Sequence, residues 1–247
     1  MAKGKRRLDT LLVQRELAES RERAQALIMA GAVFVAGQRV SKAGTPVPET
    51  AEIQVRGQLP YVSRGGVKLA HALDVFGVQV AGSVALDVGA STGGFTDCLL
   101  QRGASQVYAL DVGHGQLASR LRRDPRVVVL EGVNARHPFQ LPELVDLATV
   151  DVSFISLTLV LPQVARHVKP GGPVIALVKP QFEARRREVG RGGVIKDPSI
   201  HAAVLARVLV WAVQHGFRLR NLTPSPIRGD KGNREFFILT EVRAAAH

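Results

Sequence analysis

Leu86-Asp87-Val88-Gly89-Ala90-Ser91-Thr92-Gly93-Gly94-Phe95-Thr96-Asp97 is the stretch that decides the fold. The apolar run Val84–Val88 leads into it, and helical text at Phe95–Arg102 leads out. Strand, glycine-rich turn and helix in that order open a sheet whose ligand site lies at the carboxyl ends of its strands. Further strands are expected at Gln106–Asp111, Val127–Val133, Leu147–Val152, Pro173–Val178, Phe217–Thr223 and Glu235–Val242, with a helix over His201–His215. Apolar strands alternating with helices make a parallel sheet covered on both faces. No helix separates the last two strands, so they form a hairpin and the seventh strand runs antiparallel.

The turn admits two readings. Gly89-x-Ser91-x-Gly93 fits the nucleophile elbow of α/β-hydrolases. It also fits a cofactor loop in which glycines let the backbone approach a ligand, although Ser91 departs from the Gly-x-Gly-x-x-Gly fingerprint. Position favours the cofactor loop. A hydrolase elbow follows several strands of its domain, whereas this turn follows the first, and His201 and His215 fall in a helix instead of on later loops. Asp111 ends the second strand, 22 residues after Gly89, where an acid would hold a ribose diol.

The chain has 247 residues, enough for one or two domains and a sizeable core. Lysine and arginine number 33 against 21 acids, a net charge of +12 with an isoelectric point near 10.8. An excess of that size speaks of a polyanionic partner, nucleic acid first. The single cysteine, Cys98, excludes an intramolecular disulfide and a cysteine metal cluster, and the seven histidines show no ligand spacing, so no metal is expected. The longest apolar run, Ala202–Val213, is short and contains Arg207, so no membrane span is expected. A cytoplasmic protein follows.

Residues 1–56 read as a separate small α+β domain, 57–62 as a linker and 63–247 as the sheet domain. Leu8, Leu11, Leu12 and Leu17 recur at helical spacing. Ser20 caps a second helix that turns Ala24, Leu27 and Ile28 inward and stops at Gly31. Val33–Val35, the turn Ala36-Gly37 and Arg39-Val40 read as a hairpin, residues 45–50 as loop, and Ile53–Val55 as a last strand. Arg21 and Arg23 sit in a first helical turn, against the helix dipole, a placement that phosphate contacts would explain.

These residues carry a resemblance. Arg7-Leu8-Asp9, Leu11-Leu12, Ser20-Arg21, Ala30-Gly31 and Val35-x-Gly37 resemble the S-four type RNA-binding domain. The remainder resembles S-adenosylmethionine-dependent methyltransferases with a Rossmann-like seven-stranded sheet. Lys68, Asp151, Lys179 and Glu235 resemble the Lys-Asp-Lys-Glu set of FtsJ-type ribose 2′-O-methyltransferases. Asp111-Val-Gly-His-Gly-Gln-Leu, Asp151-Val-Ser-Phe-Ile-Ser-Leu and Val178-Lys-Pro-Gln-Phe-Glu, read with the opening stretch, are similar to the TlyA family, also labelled hemolysin A.

The resemblance implies transfer of a methyl group from S-adenosylmethionine to a cytidine 2′-hydroxyl of ribosomal RNA, naked or within a ribosomal subunit. It places Asp87, Gly89, Ser91, Thr92, Gly93, Gly94, Phe95, Asp111, Val112 and Asn134 at the cofactor. Lys179 is expected as base or orienting group, Asp151 and Glu235 as its positioners, and Lys68 on the nucleotide. A lysine acts as base only if its pKa falls from about 10.4 toward 7–8. Arg6, Arg7, Arg21, Arg23 and Arg64 are expected on RNA, as are Arg185, Arg186 and Arg187 in a glycine- and arginine-rich loop. The last strand is followed by only a few residues, which favours the large subunit. The competing classes are a non-catalytic RNA-binding assembly factor and a membrane-active hemolysin.

Overall fold

A computed structural model describes residues 4–18, 20–29, 31–56, 60–190, 192–229 and 232–243. The chain divides into two compact units, Met1–Gly65 and Gly66–His247. Part of the expected linker, residues 57–59, lies outside the described residues, as does Arg191 of the arginine-rich loop.

In the first unit β1 (Lys5–Arg7) leads into α1 (Leu8–Gln14) and α2 (Arg21–Met29). The strands β2 (Val33–Val35), β3 (Gln38–Arg39), β4 (Pro46–Pro48) and β5 (Ile53–Val55) follow. Leu8, Leu11, Leu12, Ala24, Leu27, Ile28 and Val33 form its core. Ser20 Oγ accepts the Arg23 N–H at 3.2 Å, as an N-cap should. Ala36 and Gly37 both have positive φ, the geometry of a two-residue hairpin turn. Two expectations are corrected. Leu17 falls beyond α1 and is exposed. Part of the expected 45–50 loop is β4, which pairs antiparallel with β1. Two prolines hid it, and an edge strand tolerates them because their missing N–H groups are not needed by a second neighbour.

The second unit runs α3 (Arg64–Phe76, whose first residues precede the unit boundary), β6 (Val84–Val88), α4 (Gly94–Gln101), β7 (Gln106–Asp111), α5 (Ser119–Arg122) and β8 (Val127–Glu131). It continues with β9 (Leu147–Val150), α6 (Leu157–Ala165), β10 (Pro173–Val178), α7 (Pro180–Glu183) and a 3₁₀ turn at Arg186–Glu188. It closes with α8 (Pro198–Gln214), β11 (Phe217–Pro224) and β12 (Phe236–Val242). The sheet order is β11-β12-β10-β9-β6-β7-β8, parallel except for β12, which runs antiparallel to both neighbours. Alternate residues of β6, β9 and β10 pack on α6 and α8 through Leu86, Val88, Val150, Val160, Leu161 and Val208. The other face carries α4, which Arg102 ties to Asp74 of α3 at 2.7 and 3.0 Å.

The chain leaves β6 outward to β7 and β8, then returns to β9 on the other side of β6. Backbones diverge at such a reversal and leave a crevice beyond the strand ends. Gly89 sits there with φ +85°, and a Cβ on it would overlap the Asp151 carbonyl. Glycine is therefore required both by the turn and by the close approach of β9.

Candidate active site

The crevice is a cleft of about 340 Å³. Its walls come from the ends of β6, β7 and β9 and the turn after β8, and include Gly89, Ser91, Asp111, Val112, Asn134 and Asp151. Asp111 Oδ2 accepts the Ser91 N–H at 2.8 Å and its Oδ1 accepts the Gly113 N–H at 2.7 Å. Those two bonds fix the carboxylate. Its remaining lone pairs can still accept two hydroxyls, as a ribose diol requires. Val112, two-thirds exposed, adds an apolar surface at the rim. Asn134 lies three residues past the end of β8, and its Oδ1 accepts the Arg136 N–H at 3.0 Å.

The serine of the turn is not a nucleophile. Ser91 has φ +48°, but its hydroxyl donates to Gln116 Oε1 at 3.3 Å. A hydrolase triad needs a histidine there.

Not every expected cofactor residue reaches the cleft. The Asp87 side chain is wholly buried beneath the turn, accepting Thr96 Oγ1 at 2.6 Å and Thr149 Oγ1 at 3.1 Å. The Phe95 ring packs on Phe237 at 6.1 Å between centroids. Thr92, Gly93 and Gly94 are not among the cleft-lining residues either. Gly93 (φ +94°) opens α4, where a Cβ would strike Leu117 and Leu121, and Thr92 O accepts the Ala118 N–H at 3.2 Å. These residues shape the turn from behind.

Burial pushes the Asp87 carboxyl up to about 7, against the two threonine hydroxyls that favour its ionised form. Its unfolded value is near 4. The unfolded chain thus ionises first, and stability falls as pH rises from about 4 to about 7, then levels. Asp87→Asn, neutral throughout, is expected to remove that decline. Thermal unfolding of both proteins across this range checks it: the curves should diverge on the alkaline side, with the variant more stable.

Four residues stand in two ion pairs at the same edge of the sheet. Lys179, next after β10, places Nζ 2.7 Å from Asp151 Oδ1, next after β9, and donates to Ser153 Oγ at 2.8 Å. Lys68 of α3 donates to Glu235 Oε2 at 2.6 Å, with both side chains largely buried. The expectation that Glu235 positions Lys179 is corrected: its partner is Lys68. The Val178–Phe236 pairing of β10 with β12 nevertheless brings Lys179 and Glu235 to one end of adjacent strands. Asp151 Oδ1 is buried and, apart from its contact with Lys179, has no hydrogen-bond donor.

Sequence reasoning did not find Phe154 or the role of Glu183. Phe154 lines the cleft, is 89% exposed and holds φ +62°, with its ring 4.9 Å from that of Phe182. A bulky residue in that conformation is strained, and such strain collects at functional sites. Glu183 accepts Ser156 Oγ at 2.6 Å and the Leu157 N–H at 2.7 Å, which locks α7 to the start of α6. Burial pushes its carboxyl up.

The chain matches the FtsJ-like methyltransferase model over residues 61–242. The chain belongs to the FtsJ-like methyltransferase family. Residues 6–53 match the S4 domain. It is 46% identical to the 16S/23S rRNA (cytidine-2′-O)-methyltransferase TlyA of Mycobacterium tuberculosis, over 94% of this chain and 88% of that one. It is 43% identical to hemolysin A of Brachyspira hyodysenteriae, over 93% and 97%. A solved structure of a Streptococcus thermophilus protein named as a hemolysin superposes with a TM-score of 0.78 at 45% identity, over 98% of this chain and 90% of that one.

In the S4 domain the arginines are organised by Asp9, whose side chain is fully buried. It accepts Arg7 at 3.0 and 2.7 Å, Arg21 at 3.1 Å and Gln25 at 3.0 Å. Arg7 foremost holds the Asp9 carboxyl far below the usual range. Both guanidiniums remain about half exposed. Arg6 pairs with Glu49 at 3.0 Å, and Arg23 donates to the Tyr61 carbonyl at 2.5 Å. In the FtsJ-like domain Arg185, Arg186 and Arg187 are exposed at the 3₁₀ turn, which Glu188 pins to Arg207 of α8 at 2.6 Å. Arg64 opens α3. No described helix is long and apolar enough to cross a membrane, and among the described residues no three metal-ligating side chains gather.

Proposed function

We propose that the protein methylates the 2′-hydroxyl of a cytidine ribose in ribosomal RNA, with S-adenosylmethionine as donor. The observation that carries this is the Lys179–Asp151 pair at the lip of a cleft with an acid at its far strand end. S-adenosylmethionine, when bound, supplies an electrophilic methyl group. Gly89, Ser91, Asp111, Val112 and Asn134 would hold it, Asp111 through its free lone pairs. A ribose hydroxyl is a very weak acid and attacks well only once its proton is held away from the reacting lone pair. Lys179, fixed by Asp151 and Ser153, is the group for that: as an ammonium it orients the hydroxyl, and only after giving up its own proton could it serve as the base. Lys68, held by Glu235, steadies the nucleotide. Phe154 offers an exposed ring on which the target base can stack.

Arg6, Arg7, Arg21, Arg23, Arg64 and Arg185–Arg187 supply phosphate contacts that fix register without reading sequence. The reading places the enzyme in the cytoplasm, with its substrate.

The test is methyl transfer from labelled S-adenosylmethionine to purified small subunits, large subunits and naked ribosomal RNA. Label resistant to alkali at a single ribose is the expected result, and the productive arm names the substrate. Intact RNA binding with no label in any arm would instead make the protein a binding factor.

A further inference from the structure

One face of the small sheet in the S4 domain is built for stacking. The register sets Phe34 of β2 directly opposite Arg39 of β3 on one side and Gln54 of β5 on the other. Arg56, two residues past Gln54, returns to the same face. Its backbone is fixed by a 2.7 Å bond from its N–H to Ala32 O. Its guanidinium carbon stands 4.6 Å over the centroid of the Phe34 ring. Gln54 Oε1 accepts Arg56 Nε at 3.2 Å and Nη2 at 2.9 Å, which holds the plane in place. The Arg39 guanidinium packs against Gly31, where a Cβ would overlap it.

Arg39, Gln54 and Arg56 are exposed, and among the described residues neither arginine meets a carboxylate. Arg6, Arg7 and Arg21 each do. The one acid on the row is Glu52, whose Oε1 accepts Gln54 Nε2 at 2.6 Å. The result is a planar cation pre-stacked on an aromatic ring, beside a second cation without a hydrogen bond or ion pair among the described residues.

We infer that this face is a second RNA contact, separate from the Asp9 cluster. An unpaired nucleobase stacks on the outer surface of Arg56, and Arg39 meets the adjoining phosphate. Guanidinium planes and aromatic rings both accept bases, and stacking does not depend on base identity. The inference rests on ribosomal RNA being the substrate. It adds that the RNA is single-stranded where it crosses this sheet.

The full chain is titrated with a fluorescent single-stranded oligoribonucleotide and with a hairpin duplex of equal length, at several salt concentrations. Arg56→Ala and Phe34→Leu are expected to weaken single-strand binding by roughly tenfold, with little effect on the duplex. Phe34→Leu leaves the salt slope unchanged. Arg39→Ala lowers that slope by about one, as a lost phosphate contact does. Glu52→Gln tightens binding. Unchanged melting temperatures show that the variants fold, and Arg39→Ala, at an exposed position, guards against loss of folding in Phe34→Leu. If Arg7→Ala weakens binding while all four sheet-face variants bind like wild type, the inference is overturned and the substrate reading stands. If the wild-type chain binds no RNA, both fall.

Discussion

Lys179→Ala is expected to lower methyl transfer by roughly 10²- to 10⁴-fold, the range for loss of a positioned proton-transfer group, and to leave binding of S-adenosylmethionine near wild type. Lys179 follows the last residue of β10, so the sheet fixes its backbone, and its side chain is only 11% exposed. Asp151 and Ser153 hold Nζ from two sides. Alanine removes the amine and leaves the Gly89–Asp111 part of the cleft untouched. Lys179→Arg separates two ways of acting. A guanidinium donates hydrogen bonds but cannot take a proton at neutral pH. If Lys179 orients the hydroxyl only, arginine should retain part of the rate; if it receives the proton, arginine should be as slow as alanine. Single-turnover transfer to the productive substrate, with cofactor affinity by calorimetry, reads both quantities. A rate within a few-fold of wild type for Lys179→Ala would remove this lysine from the mechanism.

Glu235→Ala carries the second large effect. Glu235 and Lys68 meet at 2.6 Å with side chains 3% and 11% exposed. Removing one member of a buried pair strands the other as an uncompensated charge, a cost of about 3–5 kcal/mol. In a domain of this size each kcal/mol moves the melting temperature by about 2–4 °C, so a fall of roughly 6–20 °C is expected, together with loss of transfer. The double variant Lys68→Met, Glu235→Leu tests the two roles apart, since apolar replacement of a whole buried pair is often neutral. Melting temperature should recover and methyl transfer should not. Recovery of both would make the pair structural only.

Much of this could be read from the chain. The seven strands were legible because each apolar run in the second unit is bounded by glycine, proline or polar text, and burial on both sheet faces needs continuous apolar residues. The antiparallel last strand followed from the missing helix between β11 and β12. Where the reading failed, non-local contacts had overruled local text. The Pro46–Pro48 strand exists because β1 lies beside it, which no property of two prolines announces. Phe154 reads as an ordinary loop residue; only the chain path after β9 gives it positive φ and an open face.

Asp87 shows the same limit at the site. Its place at the start of the glycine turn suggested a ligand contact. Strand alternation turned its side chain away from the cleft, onto Thr96 and Thr149. The sequence by itself determined the sheet, the order of its elements and the residue types at each strand end, because periodicity and turn chemistry are local. Only the tertiary structure decided the partners. Lys68 and Glu235 are 167 residues apart and meet because α3 packs beside the end of β12. Lys179 meets Asp151 because β9 and β10 are neighbours. An ion pair depends on distance in space, and that distance is set by how the sheet closes its core.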